Sequence, residues 1–221
     1  MLMASRRFDL VVFDWDGTVV DSTAMIALSI QRAAADLGLR VPTREQASHV
    51  IGLGLQDALA GAVPDLDASR IEEFSARYRH HYFAGEPEIV LFSGVRELLV
   101  ELTELGATLA VATGKSRRGL DRAFGTTGLG MFFAASRCAD ETHPKPHPAM
   151  LLELTDELDV PVERTVMIGD TTHDLAMARA ARTAAIGVTY GAHPREQLAA
   201  LGPLGLAESV DRLRAWLLTS S

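Results

Sequence analysis

Phe8-Asp9-Leu10-Val11-Val12-Phe13 runs directly into Asp14-Trp15-Asp16-Gly17-Thr18, and the reading of this stretch decides the fold. The first part is short, apolar and rich in branched and aromatic side chains, so it predicts a buried strand; the second is a loop with two carboxylates. Working outward, comparable runs predict strands over 108–112, 132–135, 165–168 and 184–188. Between them lie helical patterns: Leu98, Leu102 and Leu105 lead to Gly106 as a stop, and Met150, Leu154 and Leu158 keep the same period. Strands that alternate with helices predict an α/β protein, a Rossmann-like three-layer core with a parallel sheet covered on both faces.

The interval between the first two strands breaks this rhythm. Roughly 90 residues separate them, far more than a crossover needs. Ile26, Ile30, Ala33 and Leu37 recur at helical spacing before Gly38. Thr43-Arg44-Glu45-Gln46 and Ser69-Arg70-Ile71-Glu72 each fit a capping box. The second would open a helix with Ile71, Phe74, Tyr78 and Tyr82 on one face. Residues 21–92 are therefore expected to form an all-helical cap, and 1–20 with 93–221 the catalytic core. An insert at this point stands where loops from the carboxyl ends of strands build a site.

Composition narrows the function classes. The chain has 221 residues, 48% hydrophobic, with mean hydropathy of +0.11, which is enough apolar material for a packed core. Asp and Glu number 29 against 21 Lys and Arg, a net charge of −8, the wrong balance for a general nucleic-acid or anionic-membrane binder. No apolar stretch approaches the ~20 residues needed to span a bilayer, and residues 1–7 lack the apolar run of a signal peptide. Cys138 is the one cysteine, so no intrachain disulfide forms. A cytoplasmic location is expected. Lysine is scarce: 19 of the 21 basic residues are arginine, and the lysines are Lys115 and Lys145.

The acidic residues carry the chemistry. Asp14 and Asp16 sit one residue apart at a strand end, and Gly169-Asp170-Thr171-Thr172-His173-Asp174 follows the 165–168 strand in the same way. Taken singly, the first segment also reads as an Asp-Gly turn and the second as a loop with Asp170 capping a helix. Taken together they gather acids at one sheet edge, where a pair 4 Å apart repels by ~4 kcal/mol at an effective dielectric near 20. A hard divalent cation with oxygen ligands relieves that conflict, and Mg²⁺ suits a site with few carboxylates and a phosphate oxygen as co-ligand. Thr113-Gly114-Lys115-Ser116 ends the 108–112 strand with a hydroxyl and a glycine able to approach an anion. It is no Walker loop, because Leu109 stands where that cradle needs glycine. Lys145 lies between prolines in His143-Pro144-Lys145-Pro146-His147-Pro148, which also forbids a zinc-binding helix for the two histidines. Lys115 reads equally as a phosphate neighbour or a surface charge, and His80-His81 as solvated.

Asp14-x-Asp16-Gly17-Thr18, Thr113 after a strand, Lys145 before a helix and Gly169-Asp170-x-x-x-Asp174, in this order, resemble the four motifs of the haloacid dehalogenase-like hydrolase superfamily. Ile51-Gly52-Leu53-Gly54 is similar to a cap loop of its phosphoglycolate phosphatase-like branch, with a helical C1-type cap. The resemblance implies a Mg²⁺-dependent phosphatase hydrolysing a small-metabolite phosphomonoester through an aspartyl phosphate. In that reading Asp14 is the nucleophile and Asp16 the acid and base. Asp14, the Asp16 backbone carbonyl and Asp170 hold the metal. Thr113, Gly114 and Lys145 bind the phosphoryl group, with Lys145 neutralising its charge. Asp174 supports the metal shell or Lys145, and Ile51, Gly52, Leu53 and Gly54 roof the leaving group. Arg44 or His49 would meet a substrate carboxylate. A sugar phosphomutase of the β-phosphoglucomutase type shares this core, and a receiver-like phospho-accepting module shares the aspartyl phosphate without needing Asp16 or the insert.

Overall fold

The computed structural model describes residues 4–220. Its centre is a six-stranded, all-parallel sheet of β2 (Leu10–Phe13), β5 (Thr108–Thr113), β6 (Ala135–Cys138), β7 (Thr165–Gly169), β8 (Ala184–Val188) and β9 (Gly205–Ala207), in the order β6-β5-β2-β7-β8-β9. Alternation along β2 divides the core. Val11 and Phe13 face a cluster with Leu98, Leu99 and Leu102 of α5 (Val95–Glu104), Leu120 of α6 (Arg117–Thr127) and Leu213 and Leu217 of α10 (Val210–Leu217). Leu10 and Val12 face Met150 and Leu154 of α7 (Ala149–Glu157), Leu175 of α8 (Thr172–Ala181) and Leu198 of α9 (Arg195–Ala199). Both faces of the sheet are thus covered, the three-layer arrangement expected of buried parallel strands.

The chain leaves β2, builds β5 and β6 on one side, then crosses to β7, β8 and β9 on the other. That reversal makes the carboxyl ends of β2 and β7 a topological switch point, where doubly wound sheets open a crevice.

Between β3 (Val20–Asp21) and β4 (Val90–Leu91) lie α1 (Thr23–Asp36), α2 (Arg44–His49), α3 (Leu55–Ala62) and α4 (Ile71–Gly85). These helices pack on a third cluster of their own, including Ile26, Ile30, Ala47, Leu59 and Phe74. β3 and β4 pair antiparallel, Val20 opposite Leu91 and Asp21 opposite Val90. The two crossings of the insert therefore run side by side, so a long excursion closes at small entropic cost. A second antiparallel ribbon joins β1 (Ala4–Arg6) to β10 (Leu218–Ser220).

Several local expectations need correction. The expected strand over 132–135 begins at Ala135, because Gly130–Phe132 winds into a 3₁₀ turn that leaves Phe132 and Phe133 packed against the first core cluster. Ser69 does not cap α4: Asp67 accepts from the Ser69 amide at 2.8 Å and caps a 3₁₀ turn that runs into it. The Thr43 capping box is present, with Gln46 N donating to Thr43 Oγ1 at 3.1 Å and Thr43 N to Gln46 Oε1 at 2.9 Å. His81 is not simply solvated, since its Nε2 lies 2.8 Å from Asp36 Oδ2. Cys138 is fully buried and its thiol is pushed up to about 12 by that burial, the behaviour of a packing residue.

Candidate active site

Trp15 explains how two neighbouring acids reach the same crevice. Its indole is 1% exposed and meets Phe124 edge-on at 5.3 Å between centroids, which pins the loop by the residue between Asp14 and Asp16. Gly17 then turns the chain at φ +82°, a conformation in which a side chain is strained, and any Cβ there would collide with the Asp170 carboxylate. The turn closes with Gly17 N donating to Val20 O at 2.8 Å and Val19 N to Trp15 O at 2.9 Å.

Asp14, Asp170 and Asp174 come together. Their carboxylates each offer an oxygen within 4.8 Å of the others, and all three are buried. Asp14 continues β2, while Asp170 continues the neighbouring β7. Asp170 does not cap a helix. Thr171 takes that role for α8, with Asp174 N donating to its hydroxyl at 3.3 Å, and Asp170 is left to accept from Thr18 Oγ1 at 3.2 Å and Ala192 N at 2.7 Å. Asp174 Oδ2 accepts from Thr171 Oγ1 at 2.6 Å, so the capping box that starts α8 also fixes this carboxylate.

Lys145 is the counter-charge. Its side chain is fully buried, with Nζ 2.6 Å from Asp14 Oδ1 and 2.6 Å from Asp174 Oδ1. Burial alone would lower its proton affinity; the two carboxylates reverse that and hold the ammonium charged. The same burial pushes the Asp14 and Asp170 carboxyls well above the usual carboxylate range. One ammonium therefore faces three buried carboxylates, and Asp14 Oδ2 has no hydrogen-bond partner among the described residues. This donor set, all hard oxygen with surplus negative charge and an open lone pair, fits a divalent cation of the Mg²⁺ kind.

Asp16 follows a different course from Asp14. Its side chain turns away from the carboxylate cluster, with Oδ1 accepting from Ser22 Oγ at 2.7 Å and Oδ2 lying 2.9 Å from Lys115 Nζ. Lys115 is thereby resolved: it is neither a free surface charge nor part of the Lys145 cluster. Thr113 ends β5 beside β2, is 1% exposed, and accepts from Lys115 N at 3.2 Å.

The 51–54 loop of the insert lies directly on the core. A Cβ on Gly114 would fall 2.6 Å from the Gly52 carbonyl oxygen and closer still to that of Leu53. One on Gly52 would fall 3.1 Å from Thr171 Oγ1. The glycines permit this approach of backbone to backbone. A second contact has no signal in the sequence: the ring Nε2 atoms of His173 and His193 each lie 3.0 Å from the His49 carbonyl oxygen. Thr172 N donates to His193 Nδ1 at 3.0 Å, which leaves the His193 Nε2–H to point at His49. Burial brings His193 down to about 4, so its ring is neutral near neutral pH. Arg44 and His49, expected to meet a substrate carboxylate, do not line the aspartate cluster. They line a separate cavity of about 590 Å³ with Ala192, His193 and Gln197, because the His49 ring stacks on His193 at 5.0 Å.

A doubly wound α/β protein with a buried lysine–carboxylate cluster at its switch point, roofed by a helical insert, is the class this geometry defines. Residues 11–188 match the family model of haloacid dehalogenase-like hydrolases, and the chain belongs to that family. It is 39% identical over 210 residues to "Probable phosphatase IndB" of Dickeya dadantii, spanning 92% of this chain and 91% of that protein. It is similar to a phosphoglycolate phosphatase of Agrobacterium fabrum, 33% identical over 196 residues, 86% of this chain and 84% of the other. Among solved structures, a predicted phosphoglycolate phosphatase from Haemophilus somnus 129pt superposes with a TM-score of 0.83 at 27% identity, covering 94% of this chain and 96% of that one.

Proposed function

We propose that the protein is a Mg²⁺-dependent phosphomonoesterase of the cytoplasm that hydrolyses a small phosphorylated metabolite by way of a phosphorylated Asp14. The observation that carries this is Asp14 itself: a buried carboxylate at the carboxyl end of β2, with one oxygen on Lys145 and the other without a hydrogen-bond partner among the described residues. The names of the similar proteins agree with a phosphatase, and phosphoglycolate-like substrates are the first to try.

In the first half-reaction an Asp14 carboxylate oxygen attacks phosphorus, a P–O(Asp14) bond forms and the ester P–O bond breaks. Asp16 gives its proton to the departing alkoxide. In the second, water attacks phosphorus and passes a proton to Asp16, the acyl phosphate bond breaks, and Asp14 returns as carboxylate with inorganic phosphate released. Thr113 and the Gly114 amide donate to the phosphoryl oxygens, and Lys145 offsets the charge spread over them. Asp14, Asp170 and the Asp16 backbone carbonyl would hold Mg²⁺, which when bound offsets the surplus charge and polarises the phosphoryl group. Asp174 keeps Lys145 in place through its 2.6 Å contact. The insert, docked through the 51–54 loop, excludes water and shapes the leaving-group space.

Phosphate release from an aryl phosphate, 2-phosphoglycolate and hexose phosphates, with Mg²⁺ and after chelation, tests the reading. Release is expected to fall on the order of 10²-fold or more when the metal is removed, the loss of several kcal/mol of charge stabilisation. Absence of metal-dependent release from every ester would overturn it, and conversion of hexose phosphates to isomers would make the protein a mutase.

Gly114→Ala separates docking of the insert from folding. The backbone at Gly114 is one any residue adopts, and the atoms nearest to the added methyl are the Gly52 and Leu53 carbonyls of the insert. Activity on the best ester is expected to drop ~10²-fold, the scale of a 1 Å misplacement, with thermal unfolding little changed. Wild-type turnover by this variant would show that the loop need not lie on Gly114 for catalysis.

A further inference from the structure

Lys115 is the buried cation that the reaction above does not use. Its side chain is 12% exposed and joins two parts of the molecule. On the core side Nζ lies 2.9 Å from Asp16 Oδ2. On the insert side Nζ donates to Tyr82 Oη at 3.0 Å and stands 4.9 Å from the centre of the same ring. Tyr82 projects from α4 and is stacked on Tyr78, one turn earlier, at 5.9 Å. The other Asp16 oxygen is held by Ser22, directly before α1, at 2.7 Å. Each oxygen of Asp16 thus has one donor. Ser22 comes from the root of the insert and Lys115 from the β5 loop, and Lys115 is itself braced by the body of the insert.

Such an arrangement contributes little to either hydrophobic core. An ammonium taken from water and set between a carboxylate and a phenol is at best a neutral device for stability. It does fix direction. Lysine suits the position better than the arginine this chain uses elsewhere, since a compact ammonium spreads three donors around one point. Asp16 is the group from which a leaving oxygen must take a proton, and proton transfer demands a hydrogen-bond distance at the moment of bond breaking.

We propose that Lys115, braced by Tyr82, is a positioning residue that sets the direction of the Asp16 carboxyl for proton transfer to the leaving oxygen. The proposal rests on the reading of Asp16 as acid and base. Its consequence is specific to the leaving group. An alkoxide departs only with its proton, whereas a nitrophenolate departs without one. Misplacing Asp16 therefore slows alkyl esters and spares aryl esters in the step that cleaves the ester.

The test compares kcat/KM, which reports steps up to departure of the leaving group, for ethyl phosphate and p-nitrophenyl phosphate with Lys115→Met, Tyr82→Phe and the double variant. Lys115→Met is expected to lose ~10²-fold on ethyl phosphate, part of the ~10²–10⁴ that a placed acid supplies, and less than ~3-fold on the aryl ester. Tyr82→Phe keeps the ring and loses only the hydroxyl; it should lose ~10-fold on the alkyl ester alone, and the double variant should be no worse than Lys115→Met, as coupled residues behave. The aryl ester reports on folding within the same experiment. Equal losses on both esters would overturn the proposal in favour of a structural or phosphoryl-binding role. Weaker binding of phosphoglycolate with turnover unchanged would overturn it in favour of a contact with a substrate carboxylate. If the wild type cleaves no ester, 2-phosphoglycolate and hexose phosphates included, the phosphatase reading falls and this proposal with it; if the wild type cleaves both test esters and the variants do not discriminate, only the proposal falls.

Discussion

Asp14→Asn is expected to keep the fold and to lose phosphate release by ~10⁴-fold or more, the scale on which removal of a covalent nucleophile acts. The two halves of the expectation have different causes. The amide has the shape of the carboxyl, so it fits a site that is 1% exposed, and its oxygen can still accept from Lys145, now 2.6 Å from Asp14 Oδ1. The NH₂ replaces Oδ2, which has no hydrogen-bond partner among the described residues, on a side chain grouped with the Asp170 and Asp174 carboxylates. A donor there meets acceptors instead of like charge, so the metal-free variant should unfold no more easily than wild type, and up to ~1 kcal/mol less easily if one hydrogen bond forms. The amide nitrogen and oxygen are poor nucleophiles toward phosphorus, so the first half-reaction has no substitute. Thermal melting without metal, together with phosphate release under saturating Mg²⁺, checks both halves. Turnover above about a tenth of wild type would remove Asp14 from the role of nucleophile.

How much of this was legible in the sequence follows from what each residue depends on. Strand ends are local: the apolar runs before Asp14, Thr113 and Asp170 place these residues at one edge of the sheet because parallel strands share a direction. Lys145 was legible through scarcity and its flanking prolines. The capping box at Thr43 was legible because its partners lie three residues apart. Contacts between the insert and the core were not. Nothing near His193, Tyr82 or Ser22 in the chain marks them, since their partners His49, Lys115 and Asp16 lie on other elements. The two-residue strands β3 and β4 are too short to carry a period, although they tie both ends of the insert together. Asp174 is intermediate: its spacing from Asp170 was visible, while its service to Lys145 needed Thr171 to turn the carboxylate.

Lys145→Met is expected to lower the unfolding free energy of the metal-free protein by ~3–5 kcal/mol, the cost of breaking a buried ion pair by removing one partner. Methionine fills nearly the same space, so packing changes little and the effect isolates charge. Without the ammonium, Asp14 Oδ1 and Asp174 Oδ1 both lose their 2.6 Å contact, and three buried carboxylates face one another within 4.8 Å. Against a typical total of ~5–15 kcal/mol this is a large fraction. For a chain of this size each kcal/mol corresponds to ~2–4 °C, so the midpoint should fall by ~10 °C. The double variant Lys145→Met with Asp174→Asn should recover part of the loss, because one of the uncompensated charges is gone. Mg²⁺ should raise the midpoint of Lys145→Met more than that of wild type, since a more negative pocket binds a cation more tightly and ligand binding to the folded state stabilises it. Phosphate release should still fall by ~10²–10³-fold even when the fold is restored by metal, as the donor that meets the phosphoryl charge is missing. A midpoint equal to wild type, with no response to Asp174→Asn, would mean that the carboxylates are not held together by Lys145. The buried charge cluster would then fail both as the support of this end of the sheet and as the place where phosphoryl charge is received.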